Sequence, residues 1–163
     1  GGTGVGDTIR EVRLITQDCG SHFARVEVTY EGLHREMPVC AGIVVHESAS
    51  EAYTLNKKEG FVTYAEPLDI ADKRMNGEHY LGLFLDPNSE DLTSSIVYLP
   101  LPEKRSGGIG HALIQTTYRP GQPFVYYTGS AWSLYDVPTH AIWRQTLRHE
   151  AAVLKKGLVS VEH

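Results

Sequence analysis

Cysteine is scarce in this chain of 163 residues: only Cys19 and Cys40 are present, and no CxxC pair exists. That excludes a disulfide framework and the usual structural zinc sites. The two thiols read as small apolar residues, with Cys40 expected to be buried and reduced. Positive charge is also short. Fifteen Lys and Arg stand against twenty Asp and Glu, a net charge of −5, so no basic face is available for a phosphate backbone and nucleic acid is not an expected partner. A few local arginines remain enough for one anionic group. No apolar run approaches the ~20 residues of a membrane span, and no leader is legible. The histidines show neither HxH nor HExxH spacing, so no metal site is expected, nor a cofactor. The glycine clusters Gly2–Gly6 and Ser106–Gly110 lack the preceding strand and following helix of a phosphate loop. Residues 1–7 read as a flexible end or cloning scar, and Ser106–Gly110 as a mobile loop.

What is present is enough for one domain. The hydrophobic share is 41%, compatible with a real core. Residues 8–163 read as a single unit, without internal repeat or linker. Short patterned segments alternate with turns. They are Ile9–Ile15, His22–Tyr30, Pro38–His46, Phe61–Ala65, His79–Leu85, Ser94–Leu99, Gly110–Tyr118 and Pro123–Thr128. Turn chemistry separates them at Glu31-Gly32, Asn56–Gly60, Asn76-Gly77, Asp86–Asn88 and Pro120-Gly121. Many short strands predict a mainly β fold, an antiparallel β-sandwich. Pro38–His46 is nearly all apolar and predicts a central strand buried on both faces. One amphipathic C-terminal helix is predicted from Asp136-Val137-Pro138. Trp143, Leu147, Ala151 and Leu154 form its apolar stripe, Lys155 and Lys156 suit its C-terminal dipole, and Gly157 serves as its cap.

Chemistry is sought at the strand ends, where a sheet presents side chains to a cleft. His46, His79 and His111 each lie at such an end. His79 and Tyr80 are adjacent on one strand, so they point to opposite faces and cannot form a preassembled dyad. The run Tyr126–Trp132 offers rings that stack on sugars or fill a core. Arg74, in the mixed-charge segment 69–78, reads either as a solvated cation or as a bidentate carboxylate clamp.

Three stretches carry a family resemblance. They are Met37–His46, with its Ala-Gly step; Tyr80–Leu85; and His111–Ile114 followed by Arg119–Phe124 and Tyr126–Ser133. With the helix near Pro138, their order resembles the C-terminal part of the bacterial family catalogued as domain of unknown function 4861. Its members occur with polysaccharide-degrading enzymes. The resemblance implies a carbohydrate-active β-sandwich, part of a larger supersandwich and preceded in the parent protein by an N-terminal part that would be a partner. It implies a periplasmic or secreted location, and an oligosaccharide or polysaccharide ligand. It also implies an activity: dehydration of a terminal uronic acid to an unsaturated sugar. The alternatives are a non-catalytic carbohydrate-binding module and an inert fragment of a larger enzyme. Such an elimination needs a base, an acid and a carboxylate clamp. On chemistry alone His79, His111 and Tyr127 are the expected proton-transfer residues. Arg74, Trp132, His46 and Tyr80 are expected to bind substrate. His79 and His111 both begin strands, so they share a rim only if those strands run parallel or the sheet curves.

Overall fold

The computed structural model describes residues 8–68, 76–89 and 95–157. Among them are nine strands: β1 Arg10–Gln17, β2 Phe23–Glu31, β3 Met37–His46, β4 Tyr53–Asn56, β5 Phe61–Pro67, β6 Glu78–Leu85, β7 Ile96–Arg105, β8 Gly108–Tyr118 and β9 Phe124–Trp132. The helix α1, His140–Gly157, closes the chain, and a short 3-10 turn, Glu47–Ala49, follows β3. The strands make an antiparallel sandwich. A six-stranded sheet has the order β1-β2-β9-β6-β5-β4, and a three-stranded sheet the order β3-β8-β7.

Alternation along the strands divides the interior into two cores. Val26, Val28, Val62, Tyr64, Leu83, Leu85 and Phe124 leave the large sheet on one side and meet Val39, Ala41, Ile43, Val45, Ala112 and Ile114 of the small sheet. Phe23, Phe61, Ala65, Tyr80, Phe84 and Ala131 leave it on the other side and meet Trp143 and Leu147 of α1. The large sheet is therefore the middle layer, covered by the small sheet on one face and by the helix on the other.

Several details depart from the sequence expectation. Cys40 is free but exposed, as is Cys19. β3 buries only every second residue. Val39, Ala41, Ile43 and Val45 face the core, while Cys40 lies on the outer face of the small sheet. The apolar run hid this alternation because its outward residues are small or apolar too. Ser106-Gly107 is no mobile loop. Both residues have positive φ, 51° and 80°, and Arg105 pairs with Gly108, which is a tight two-residue hairpin of the primed kind. β4 is a ninth strand, four residues long, joined to β5 by the Asn56–Gly60 turn. The helix starts two residues later than Pro138. Thr139 caps it, its Oγ1 accepting from the Ile142 N–H at 3.2 Å, so the capping hydroxyl rather than the proline marks the start.

Candidate functional site

Three adjacent strands of the large sheet place one row of side chains at the same end of the sandwich. Glu66 on β5 stands directly opposite His79 on β6, and His79 directly opposite Trp132 on β9. Cross-strand partners share a face with Cβ atoms about 5 Å apart. The row lies on the face toward the small sheet, because Glu66 has the parity of Val62 and Tyr64, and His79 that of Leu83 and Leu85.

His46 joins this row from the opposite layer. Strict alternation after inward Val45 would turn it outward. The register shifts between Val45 and His46, and such an irregularity re-aims a side chain. Its Nδ1 comes to lie 2.6 Å from Glu66 Oε1. That nitrogen is buried, and its N–H direction is poorly aligned with the carboxylate. The contact is therefore an ion pair when the ring is protonated, not a well-formed hydrogen bond. The backbone N–H of His46 donates to the Tyr64 hydroxyl at 3.0 Å, tying the end of β3 to β5. Tyr64 is fully buried, and burial raises its phenol pKa, so it serves as a neutral strut.

The floor of the row is held rigidly. Ser133 Oγ accepts the Glu78 N–H at 2.8 Å, and the Ser133 N–H donates to the Glu78 carbonyl. The Trp132 indole N–H donates to the Asn76 carbonyl at 2.9 Å. That bond fixes the ring while leaving Trp132 43% exposed. Among the described residues no group of three His, Cys, Asp or Glu side chains is arranged to hold a metal ion. The arrangement offers proton-transfer groups beside a carboxylate, and an exposed ring next to them.

The chain matches the family model described as domain of unknown function 4861 over residues 3–159. It belongs to this family. No curated protein and no solved structure matches it.

The structure of this family member sorts the residues singled out from sequence. It sets His46 and His79 beside Glu66, with Trp132 on the far side of His79. β8 begins at Gly108, so His111 is its fourth residue rather than its first, but that start lies at the same end, because the Gly107 carbonyl accepts the Glu47 N–H next to His46. The two histidine-bearing strands thus share a rim by stacking of the two sheets. The His111 ring does not join the row, however. It stands opposite Val44 and Leu99 on the outer face of the small sheet, beside a concavity of about 580 Å³ lined by Leu101, Pro102 and Arg105. Tyr127 projects from the other face of the large sheet, stacked on Phe84 at 4.9 Å, with its phenol pKa raised by burial. His79, His111 and Tyr127 therefore occupy three different faces and form no common centre. Tyr80, expected to bind substrate, is fully buried beneath the helix. Its ring stacks on His140 at 5.7 Å, so it is a core residue. Arg74 lies outside the described residues.

Glu66 is the candidate-site residue that sequence reasoning missed. It is the only charged side chain in β5, and that was the available signal. Its partner His79 becomes visible only once the register is known. A second polar cleft, about 380 Å³, lies at the opposite end and includes Asp86, Asn88, Arg119 and Gln122. Asp86 there accepts from both nitrogens of Asn88, and Arg119 is engaged by Glu36. It has no histidine, so proton-transfer chemistry favours the Glu66 row.

One half-buried histidine, the first residue of the helix, gives a pH prediction. His140 Nε2 lies 2.9 Å from Thr63 Oγ1. Burial first, and Arg144 second, lower its pKa from 6.5 to about 4. Between those values the unfolded chain binds more protons than the folded one. Stability should therefore fall as pH drops from 6.5 toward 4 and level off below. The full shift would be worth ~3 kcal/mol, which partial solvent access reduces to about 1–2 kcal/mol. Urea unfolding at pH 7 and pH 4 measures the slope, and His140→Gln should remove that part of it. An unchanged slope in the variant assigns the loss to other groups.

Proposed function

We propose that this domain contributes the proton-transfer wall of a cleft that dehydrates a terminal uronic acid of an oligosaccharide. One observation carries the reading: Glu66, His79, His46 and exposed Trp132 meet at one end of the sandwich. The family resemblance supplies the substrate class. The chemistry then follows from these groups. The proton on the carbon next to the sugar carboxylate is weakly acidic. His79 removes it, and Glu66 balances the charge on the imidazolium that results. The electron pair forms the new carbon–carbon double bond, and the neighbouring carbon–oxygen bond breaks. Protonated His46 gives its proton to the departing hydroxyl, which leaves as water. Trp132 stacks on the apolar face of a sugar ring. Arg74 remains the proposed clamp for the carboxylate, where its planar fork would stabilise the enolate-like intermediate.

The test is an oligosaccharide ending in glucuronic acid, incubated with the purified chain while ultraviolet absorbance is followed. A rise from the conjugated double bond is expected. Binding by calorimetry without any product would favour a carbohydrate-binding module, since Trp132 suffices for stacking. Neither binding nor product across several uronic-acid termini would remove the basis of the proposal.

A further inference from the structure

Among the described residues, three of the four sheet edges carry devices that discourage further pairing. β4, at one end of the large sheet, is only four residues long. β3 contains Pro38. β7 contains Pro100 and Pro102 and loses register after Pro100. Short strands, prolines and bulges are the usual means of blunting an edge. β1 has none of them. It is eight residues long, exposed at every position, and paired with β2 in unbroken register from Arg10 to Gln17.

The sequence of this edge, Thr8-Ile9-Arg10-Glu11-Val12-Arg13-Leu14-Ile15-Thr16, has a partial two-fold symmetry about Val12: Thr and Ile repeat, Glu11 is matched by Arg13 of opposite charge, and only Arg10 and Leu14 are unlike. From this symmetry we infer that β1 pairs antiparallel with β1 of a second copy of the chain, about a two-fold axis at Val12. Such a pair joins the two six-stranded sheets into one. In that register Thr8 meets Thr16 of the second copy, Ile9 meets Ile15, Glu11 meets Arg13, and Val12 meets Val12.

The side chains sort by face in the same way. Arg13 stands opposite Val28, and Ile15 opposite Val26. Ile9, Glu11, Arg13 and Ile15 therefore share the face toward the small sheet. Across the axis this face reads apolar, acidic, basic, apolar against apolar, basic, acidic, apolar. Glu11 and Arg13 already form an ion pair at 2.5 Å within one chain. Two copies would close a ring of four alternating charges flanked by two isoleucine pairs. Ile9 and Ile15 are 45% and 65% exposed in the single chain, so the pairing covers apolar surface as well as open backbone groups. A shift by two residues would set Glu11 against Ile15 or against Glu11 of the second copy and lose both sets of contacts. The interface is isologous, as a two-fold requires.

Sedimentation of the full chain at high micromolar concentration tests this inference. The wild type is expected to be a dimer. Glu11→Arg and Arg13→Glu each place like charges opposite one another and should raise the dissociation constant at least about tenfold. Mixing the two single variants should restore dimers, as should combining both changes in one chain. Val12→Pro should give a monomer whose circular dichroism is close to wild type, because β1 buries no side chain. A monomeric wild type overturns the inference; it is the result expected if this edge is reserved for another segment or protein. A dimer indifferent to both charge reversals also overturns it.

Discussion

Replacing Trp143 by alanine is expected to destabilise the fold by about 3–5 kcal/mol, the range for removing a fully buried large aromatic. In a domain of this size that lowers the melting temperature by roughly 10 °C. The ring is fully buried and holds α1 to the large sheet by three kinds of contact. It stacks on Phe23 at 5.0 Å and nearly parallel, 10°. It meets His22 edge-on at 5.8 Å. Its indole N–H donates to the Leu81 carbonyl at 3.0 Å. The sheet is shaped to receive it. Gly82 and Gly129 stand directly opposite each other on β6 and β9. A Cβ on Gly82 would lie 3.1 Å from the indole ring, and one on Gly129 would lie 2.3 Å from the ring of Phe23. Two glycines side by side thus make a flat shelf on which the aromatic stack sits. Trp143→Phe should cost less than alanine, keeping most of the packing but losing the donor, about 1 kcal/mol of the total. Urea unfolding with an unchanged m-value would show that the loss is one of stability and not of compactness. A cost below 1 kcal/mol for alanine would mean that the helix contributes little to the cooperative unit.

The fold class was legible because its signals are local. Turn residues and short alternating runs located eight strands, and helical spacing located Trp143 and Leu147. β4 escaped because four half-buried residues carry no alternation worth reading. The position of Cys40 escaped for a different reason. An apolar strand such as β3 looks the same whether one face or both are covered, and only the other layers decide. The site was partly legible. Strand ends drew attention to His46 and His79, and the aromatic run to Trp132; His46 and His79 each stand beside Glu66, and Trp132 stands beside His79. His111 and Tyr127 satisfy the same local rule yet point elsewhere, since which face a side chain takes depends on register and on which sheet its strand joins. Glu66 is the clearest case. Its charge in an otherwise uncharged strand is its only local mark, and its two histidine neighbours come from strands β3 and β6. Even the aim of His46 depends on an irregularity in β3 that no local pattern announces.

Glu66→Gln is expected to lower kcat/KM for elimination by about 10²–10³-fold, near the usual worth of a positioned acid or base. The substitution keeps the shape of the side chain and removes its charge, so the protein should fold normally. The loss is expected in kcat, because the His79 imidazolium that Glu66 would balance forms only as the proton is transferred. His79→Ala should fall in the same range. The double change Glu66→Gln with His79→Ala should cost little more than either alone, as groups acting as one unit are not additive. Trp132→Ala should raise KM, leaving kcat largely intact, because stacking on a sugar is equally strong before and during the reaction. Its exposure and the fixed indole hydrogen bond suit that role. His111→Ala separates this arrangement from the grouping suggested by strand ends alone. Its ring stands opposite Val44 and Leu99 on the outer face of the small sheet, so activity should be unchanged. A large loss in His111→Ala together with wild-type rates in Glu66→Gln would move the chemistry to the outer face and dismantle the role given to the row.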